Sequence, residues 1–132
     1  MKIKLTSVFV NDQKKALDFY TGQLGFVKKT DLPMGEFSWL TVVSPEERDG
    51  TELLLEPNAN EAARTFQESI YNAGIPAAAF EVDDIEKTVQ SLKKADIRFT
   101  MEPTKMGESI LAIFDDTCGN LVQIYQHDSQ TE

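Results

Sequence analysis

Cysteine, histidine and tryptophan occur once each in this chain of 132 residues. A single cysteine excludes an internal disulfide, and a chain that needs none is expected in the reducing cytoplasm. The only histidine, His127, stands in the polar run from Gln126 to Glu132, where a solvated imidazole is the ordinary expectation. Basic residues are also scarce, with 13 Lys and Arg against 22 Asp and Glu and a net charge of −9. That balance argues against nucleic acid, whose phosphates reward a basic face, and against an anionic membrane surface. No apolar run approaches the roughly 20 residues of a membrane helix. The first seven residues alternate like a strand and lack the apolar stretch of a secretory signal. What is present is core material. Eight Phe, three Tyr and many branched aliphatics, in a chain that is 41% hydrophobic, suit one globular domain or two small ones sharing a core. The acidity serves solubility first, and it permits a cationic ligand.

Laid over itself, the chain shows a repeat. Val10, Asp12 and Lys15 fall on Val82, Asp84 and Lys87 at an offset of 72, and the same offset carries Met34, Gly35 and Glu36 onto Met106, Gly107 and Glu108. Each half follows one plan. Residues 2–10 alternate with β-branched and aromatic types, which predicts a strand. Asn11 or Asp12 caps a helix whose apolar side is Ala16, Leu17, Tyr20 and Leu24, and Gly25 stops it. Strands are predicted at 26–30, 37–43 and 52–56, divided by Pro33, Met34 and Gly35 and by residues 47–50. The second half repeats the series. It has a strand at 77–82, a cap at Asp83 or Asp84, a helix face of Ile85, Val89 and Leu92, and strands at 97–101, 109–114 and 121–126. Residues 116–120 form the last hairpin turn. Between the halves, 58–73 reads as a helix with Ala62, Phe66 and Ile70 on its apolar side and Gly74 at its end.

The expected fold is therefore α+β, with two βαβββ modules at 1–57 and 75–127, a connecting helix at 58–74 and a polar tail at 128–132. Each module offers an antiparallel sheet with a helix over one face, so the opposite face must be covered by the other module, a ligand or a partner chain. A groove between the two curved sheets is the expected site.

The segments Val8 to Asp12, Ala16 to Tyr20, Leu24 to Phe26 and Asp116 to Ile124 carry a resemblance to the vicinal oxygen chelate superfamily. That superfamily includes glyoxalase I, extradiol dioxygenases, and the fosfomycin and bleomycin resistance proteins. The resemblance covers nearly the whole chain and implies the paired βαβββ fold. It does not by itself select an activity, because this fold serves many chemistries. In the enzymes, His and Glu side chains from the first and last strand of each module hold a divalent metal, which takes adjacent substrate oxygens as a Lewis acid. Counting from the helix-opening Asp, the turn glycine and the strand-ending Pro, those positions fall on Leu5, Leu53, Ala77 and Gln123. None is an imidazole or a carboxylate. Glu52 and Glu56 are the nearest carboxylates and are expected on the alternate face, in solvent. No metal and no cofactor is expected.

If the counted positions Leu5, Leu53, Ala77 and Gln123 face the groove, as the resemblance implies, alternation adds Ser7, Leu55 and Tyr125 to its lining, and Trp39 and Thr41 join from the middle strand. Apart from Leu5, these are the candidate ligand-binding residues. They make an apolar and aromatic groove with a few directional polar groups. Trp39 is the best stacking platform for a planar or cationic group, although core or dimer packing would use it as well. Met34 and Met106 suit a groove mouth or fill gaps. Cys118 is expected as an exposed thiol, and Arg64 on a solvated helix face. Asp83, Asp84, Asp115 and Asp116 are expected to cap a helix start and a turn rather than to act as acid and base.

Three functions compete. The first is a metal-independent protein that holds a hydrophobic or cationic organic molecule in the groove, as the likeness to bleomycin resistance proteins implies. The second is a lactoylglutathione lyase-like or dioxygenase-like enzyme with a non-standard site. The third is an association partner, and the resemblance also implies a homodimer.

Overall fold

Asp12 and Asp84 open the two halves in the same way. Each has extended backbone, and each carboxylate accepts the N–H three residues on, from Lys15 at 3.0 Å and from Lys87 at 3.2 Å. Each cap satisfies an otherwise orphaned helical donor and contributes about 1 kcal/mol. The computed structural model describes residues 1–127, and the polar tail expected at 128–132 lies outside them.

The elements run β1 (Leu5–Val10), α1 (Gln13–Gly22), β2 (Val27–Met34), β3 (Phe37–Val43), β4 (Glu52–Pro57), α2 (Glu61–Asn72), β5 (Ala78–Glu81), α3 (Ile85–Lys94), β6 (Phe99–Met106), β7 (Ser109–Asp115) and β8 (Leu121–His127). They make two four-stranded sheets, ordered β1-β4-β3-β2 and β5-β8-β7-β6, so the fold is the α+β pair of βαβββ modules. The sheets are mixed, not antiparallel throughout as expected, because β1–β4 and β5–β8 are joined by long crossovers and pair parallel. The chain divides into two compact units, Met1–Gln67 and the part from Glu68 onward, and the division falls inside α2. Among the described residues no helix is long and apolar enough to cross a membrane.

β2 and β6 are longer than alternation predicted, each continuing through a proline to Met34 and Met106. Both are edge strands, where the missing proline N–H leaves no ladder bond unmade. The repeated Gly-Glu steps close the two hairpins. Met34 pairs with Phe37 and Met106 with Ser109, while Gly35 and Gly107 take φ of 68° and 64°. A positive φ at the first position of a two-residue loop suits the right-handed strand twist and favours glycine.

In the first unit α1 buries Ala16, Phe19 and Tyr20 on Val8, Val10, Leu40, Val42 and Leu55. Leu17 and Leu24, expected on that face, are only partly covered. In the second, Ile85, Val89 and Leu92 of α3 cover Ala112, Phe114, Val122 and Ile124. Burying each large side chain contributes about 1.5–3 kcal/mol.

The connecting helix departs from the sequence reading. Its buried residues are Ala63 and Gln67, whereas Ala62 is exposed and Phe66 is 55% exposed. A hydrogen-bond demand sets this rotation. Phe9 lies on edge strand β1, and its carbonyl accepts Gln67 Nε2 at 3.0 Å, while Gln67 Oε1 accepts Asn58 Nδ2 at 2.8 Å. A backbone carbonyl at a covered sheet edge requires a donor, and a glutamine supplies what an apolar stripe cannot.

Cys118 is fully buried, not exposed as expected. Asp116 is buried beside it and accepts Cys118 N at 2.7 Å, Asn120 N at 3.0 Å and Asn120 Nδ2 at 2.8 Å. The turn folds around its carboxylate and draws the small thiol inside.

Candidate ligand cavity of the first unit

Residues paired across a ladder present their side chains to the same face. Ser7 pairs with Leu54, Leu54 with Thr41, and Trp39 with Leu32, so the face away from α1 carries Leu5, Ser7, Glu52, Leu54, Glu56, Phe37, Trp39, Thr41, Leu32 and Met34. Leu53 and Leu55 lie on the other face, with Val8 and Val10 under α1, and are 8% and 0% exposed. Their expected place in the lining is therefore corrected by one residue. The run Leu53, Leu54, Leu55 has no alternation from which a phase could be read.

The open face holds a cavity of about 460 Å³ lined by residues of this unit alone: Leu5, Thr6, Ser7, Met34, Phe37, Ser38, Trp39, Leu54, Glu56 and Pro57. Of the expected lining residues it contains Ser7 and Trp39. Thr41 shares the face but is fully buried, and its hydroxyl donates to Glu52 Oε1 at 2.7 Å, so it is already committed. Ala77, Gln123 and Tyr125 belong to the second unit. There Gln123 pairs with Ala79 and Ile113, Ala77 N donates to Leu121 O at 2.8 Å, and the Tyr125 ring meets His127 edge-on at 5.6 Å.

Alternation placed Glu56 in solvent, opposite the lining. The structure puts this half-buried carboxylate in the cavity wall with Trp39 and Phe37. Among the described residues it has no hydrogen-bond or ion-pair partner. The acid excess of the whole chain does not place it there. Residues 1–67 hold eight Lys and Arg against ten Asp and Glu, whereas residues 68–132 hold five against twelve. The local charge of the cavity is that of Glu56.

Ser38, Trp39, Glu56 and Pro57 of the lining lie where β3 and β4 are no longer paired. Their ladder consists of Val42 with Leu53 and Thr41 with Leu54 and goes no further. Beyond it, Gln13 at the start of α1 spans the gap, its Nε2 donating to Ser38 O and to Leu55 O at 2.8 Å each and its Oε1 accepting Ser38 N at 3.0 Å. Helical spacing gave Gln13 no role, because a polar residue at a helix start reads as solvated.

The second unit contains a polar cluster of a different kind. Tyr71 donates its phenolic hydrogen to Asp115 Oδ2, and Arg98 Nη2 reaches Tyr71 Oη at 2.9 Å and Asp115 Oδ2 at 3.2 Å. The hydrogen bond to Asp115, then burial, holds the Tyr71 hydroxyl above its usual pKa. The same contacts, with Tyr71 first, raise Arg98. A phenol kept protonated is a structural tie and a poor general base. Asp115 Oδ1 also accepts Thr117 N at 2.7 Å, so Asp115 and Asp116 both serve the turn, as expected.

The metal positions can be tested by their donor chemistry. Ser7 stands opposite Leu54 as Ala79 stands opposite Gln123, so Leu54 rather than Leu53 is the first-unit counterpart of Gln123. Leu5, Leu54 and Ala77 offer no donor atom and Gln123 offers only a neutral amide, so this set does not fit a divalent ion. Among the described residues no group of three or more His, Cys, Asp or Glu side chains could hold a metal.

The family model for the Glyoxalase/Bleomycin resistance protein/Dioxygenase superfamily matches residues 2–124. The chain is 59% identical over 126 residues to the uncharacterized protein YurT of Bacillus subtilis (strain 168), covering 96% of this chain and 99% of that one. It is similar to the crystal structure of UcmS2, with a TM-score of 0.82, 29% identity and 98% of each chain covered. It also shares its fold with TnmS3, an antibiotic binding protein from Streptomyces sp. CB03234, with a TM-score of 0.73, 24% identity and 96% of each chain covered.

Proposed function

Because the chain belongs to the Glyoxalase/Bleomycin resistance protein/Dioxygenase superfamily yet carries no donor set at the superfamily's metal positions, we propose that it binds a small organic molecule without a metal ion. One observation carries this reading. A cavity of about 460 Å³, within the range of drug-sized sites, is walled by Trp39, Phe37 and Leu54 together with Glu56, whose carboxylate has no partner among the described residues. Aromatic rings and a lone carboxylate suit a flat, apolar ligand carrying a protonated nitrogen. The ring faces attract a cation, and a half-buried carboxylate without a partner gains by acquiring one. That TnmS3, which shares the fold, is an antibiotic binding protein supports small-molecule binding in general. A homodimer belongs to the same reading, with the exposed apolar Leu32 and Met34 beside the cavity as its support.

Trp39 is the sole tryptophan, so its fluorescence reports the cavity directly. Titration with 2-naphthylmethylammonium should change that emission saturably and raise the melting temperature, with no effect of a chelator. Stoichiometric binding of Ni²⁺, Zn²⁺ or Mn²⁺ without any organic response would overturn the proposal. So would chelator-sensitive turnover of the methylglyoxal–glutathione hemithioacetal, which would restore the lyase reading.

A further inference from the structure

Deepening that reading and resting on it, we propose that Gln13 is the positioning residue that creates the cavity, holding β3 and β4 apart so that a ligand enters between them. The second unit serves as an internal control. At the repeat offset of 72, Gln13 corresponds to Ile85 and Ser38 to Ile110. Pro57 pairs with Val10 on the neighbouring strand, and Val82, the repeat equivalent of Val10, donates its N–H to Tyr125 O, so Gln126 stands in the place of Pro57.

In the second unit the equivalent ladder is complete, running through seven pairs from Asp115 with Leu121 to Ser109 with His127 and including Ile110 with Gln126. Ile85 is fully buried there and takes no part in the ladder by its side chain. In the first unit the same ladder stops after Thr41 with Leu54. Extended in register, it would set Ser38 opposite Pro57, which has no N–H for the Ser38 carbonyl. Gln13 supplies that donor, accepts the Ser38 N–H and caps Leu55 O, using both amide hydrogens and its carbonyl oxygen. The two substitutions act together. Proline removes the strand's ability to close, and glutamine satisfies the backbone groups that closure would have paired. The consequence is visible in the lining, where Ser38 and Pro57 from the helix-side face join Trp39, Leu54 and Glu56 from the open face.

The test writes the second unit's pair into the first, as the double variant Gln13→Ile with Pro57→Gln. NMR of the labelled protein should then show cross-strand Hα contacts between Trp39 and Glu56. Trp39 fluorescence should report affinity for 2-naphthylmethylammonium lowered about tenfold or more. A role confined to stability would lower the melting temperature without producing those contacts. Gln13→Ala, which removes the bridge without adding a branched side chain, gives the second reading if the double variant does not fold. There, loosened Ser38 and Leu40 amide protection together with weakened binding supports the proposal. Strands that stay apart in the double variant would overturn it, as would a closed ladder with unchanged affinity. Absence of probe binding by the unaltered protein would sink the ligand reading, while the NMR result would still decide the part played by Gln13.

Discussion

The carboxamide of Gln13 meets both backbone groups of Ser38, accepting its N–H at 3.0 Å and donating to its carbonyl at 2.8 Å. A side chain thus imitates a neighbouring strand for one residue of β3. The same amide also reaches Leu55 O of β4, so one residue at the start of α1 fixes the spacing of two strands that no longer pair there. Gln13→Ala leaves three part-buried backbone groups without this partner. A loss of about 1–3 kcal/mol is expected from urea unfolding, with the dependence on denaturant unchanged.

Trp39 is 37% exposed at the cavity wall and lies outside the buried core. Trp39→Ala should therefore cost little stability, roughly 1 kcal/mol or less, and abolish measurable binding of 2-naphthylmethylammonium by calorimetry. Trp39→Phe should retain part of it. Binding that is equal in all three proteins would place the ligand elsewhere.

Glu56→Gln preserves shape and removes the charge of the cavity. Affinity for 2-naphthylmethylammonium should fall about three- to tenfold at low ionic strength, while affinity for the neutral 2-naphthalenemethanol stays the same. Added salt should weaken the charged probe in the native protein and leave the variant unaffected. An equal loss for both probes would mean that Glu56 shapes the cavity without reading charge.

The Tyr71 hydroxyl is held above its usual pKa chiefly by its hydrogen bond to Asp115. A group whose pKa is raised on folding stabilises fully below its unfolded value, near 10, and loses that contribution as pH rises through the folded value. Tyr71→Phe should lower stability at neutral pH in chemical denaturation, by about 1 kcal/mol or less for so solvent-screened a contact, and flatten the stability loss above pH 10. A variant that keeps the native alkaline limb would contradict this.

Asp116 is fully buried and accepts three hydrogen bonds that close the turn over Cys118. The native thiol should resist a disulfide reagent until global unfolding. Asp116→Ala should cost about 3 kcal/mol or more and make Cys118 react under native conditions. Rapid labelling of the unaltered protein would show that the turn opens locally.

Periodicity and the internal repeat located the eight strands and three helices of the described residues, because caps, turn glycines and alternation are local properties of the chain. Asp12, Gly35 and the α3 face of Ile85, Val89 and Leu92 were legible for that reason. Phase was not legible where alternation failed, and the three consecutive leucines of β4 concealed which of them meets solvent. The outward turn of Phe66 was hidden for a related reason, since the carbonyl of Phe9, far away in sequence, decides which side of α2 is buried.

The residues alone determined the α+β architecture and the doubled module, since these follow from residue type and spacing. Only the tertiary structure decided where a ligand could enter. Gln13, Ser38 and Leu55 are separated by 25 and 42 positions along the chain, and no local pattern records that one amide would bond to both strands and leave a cavity between them.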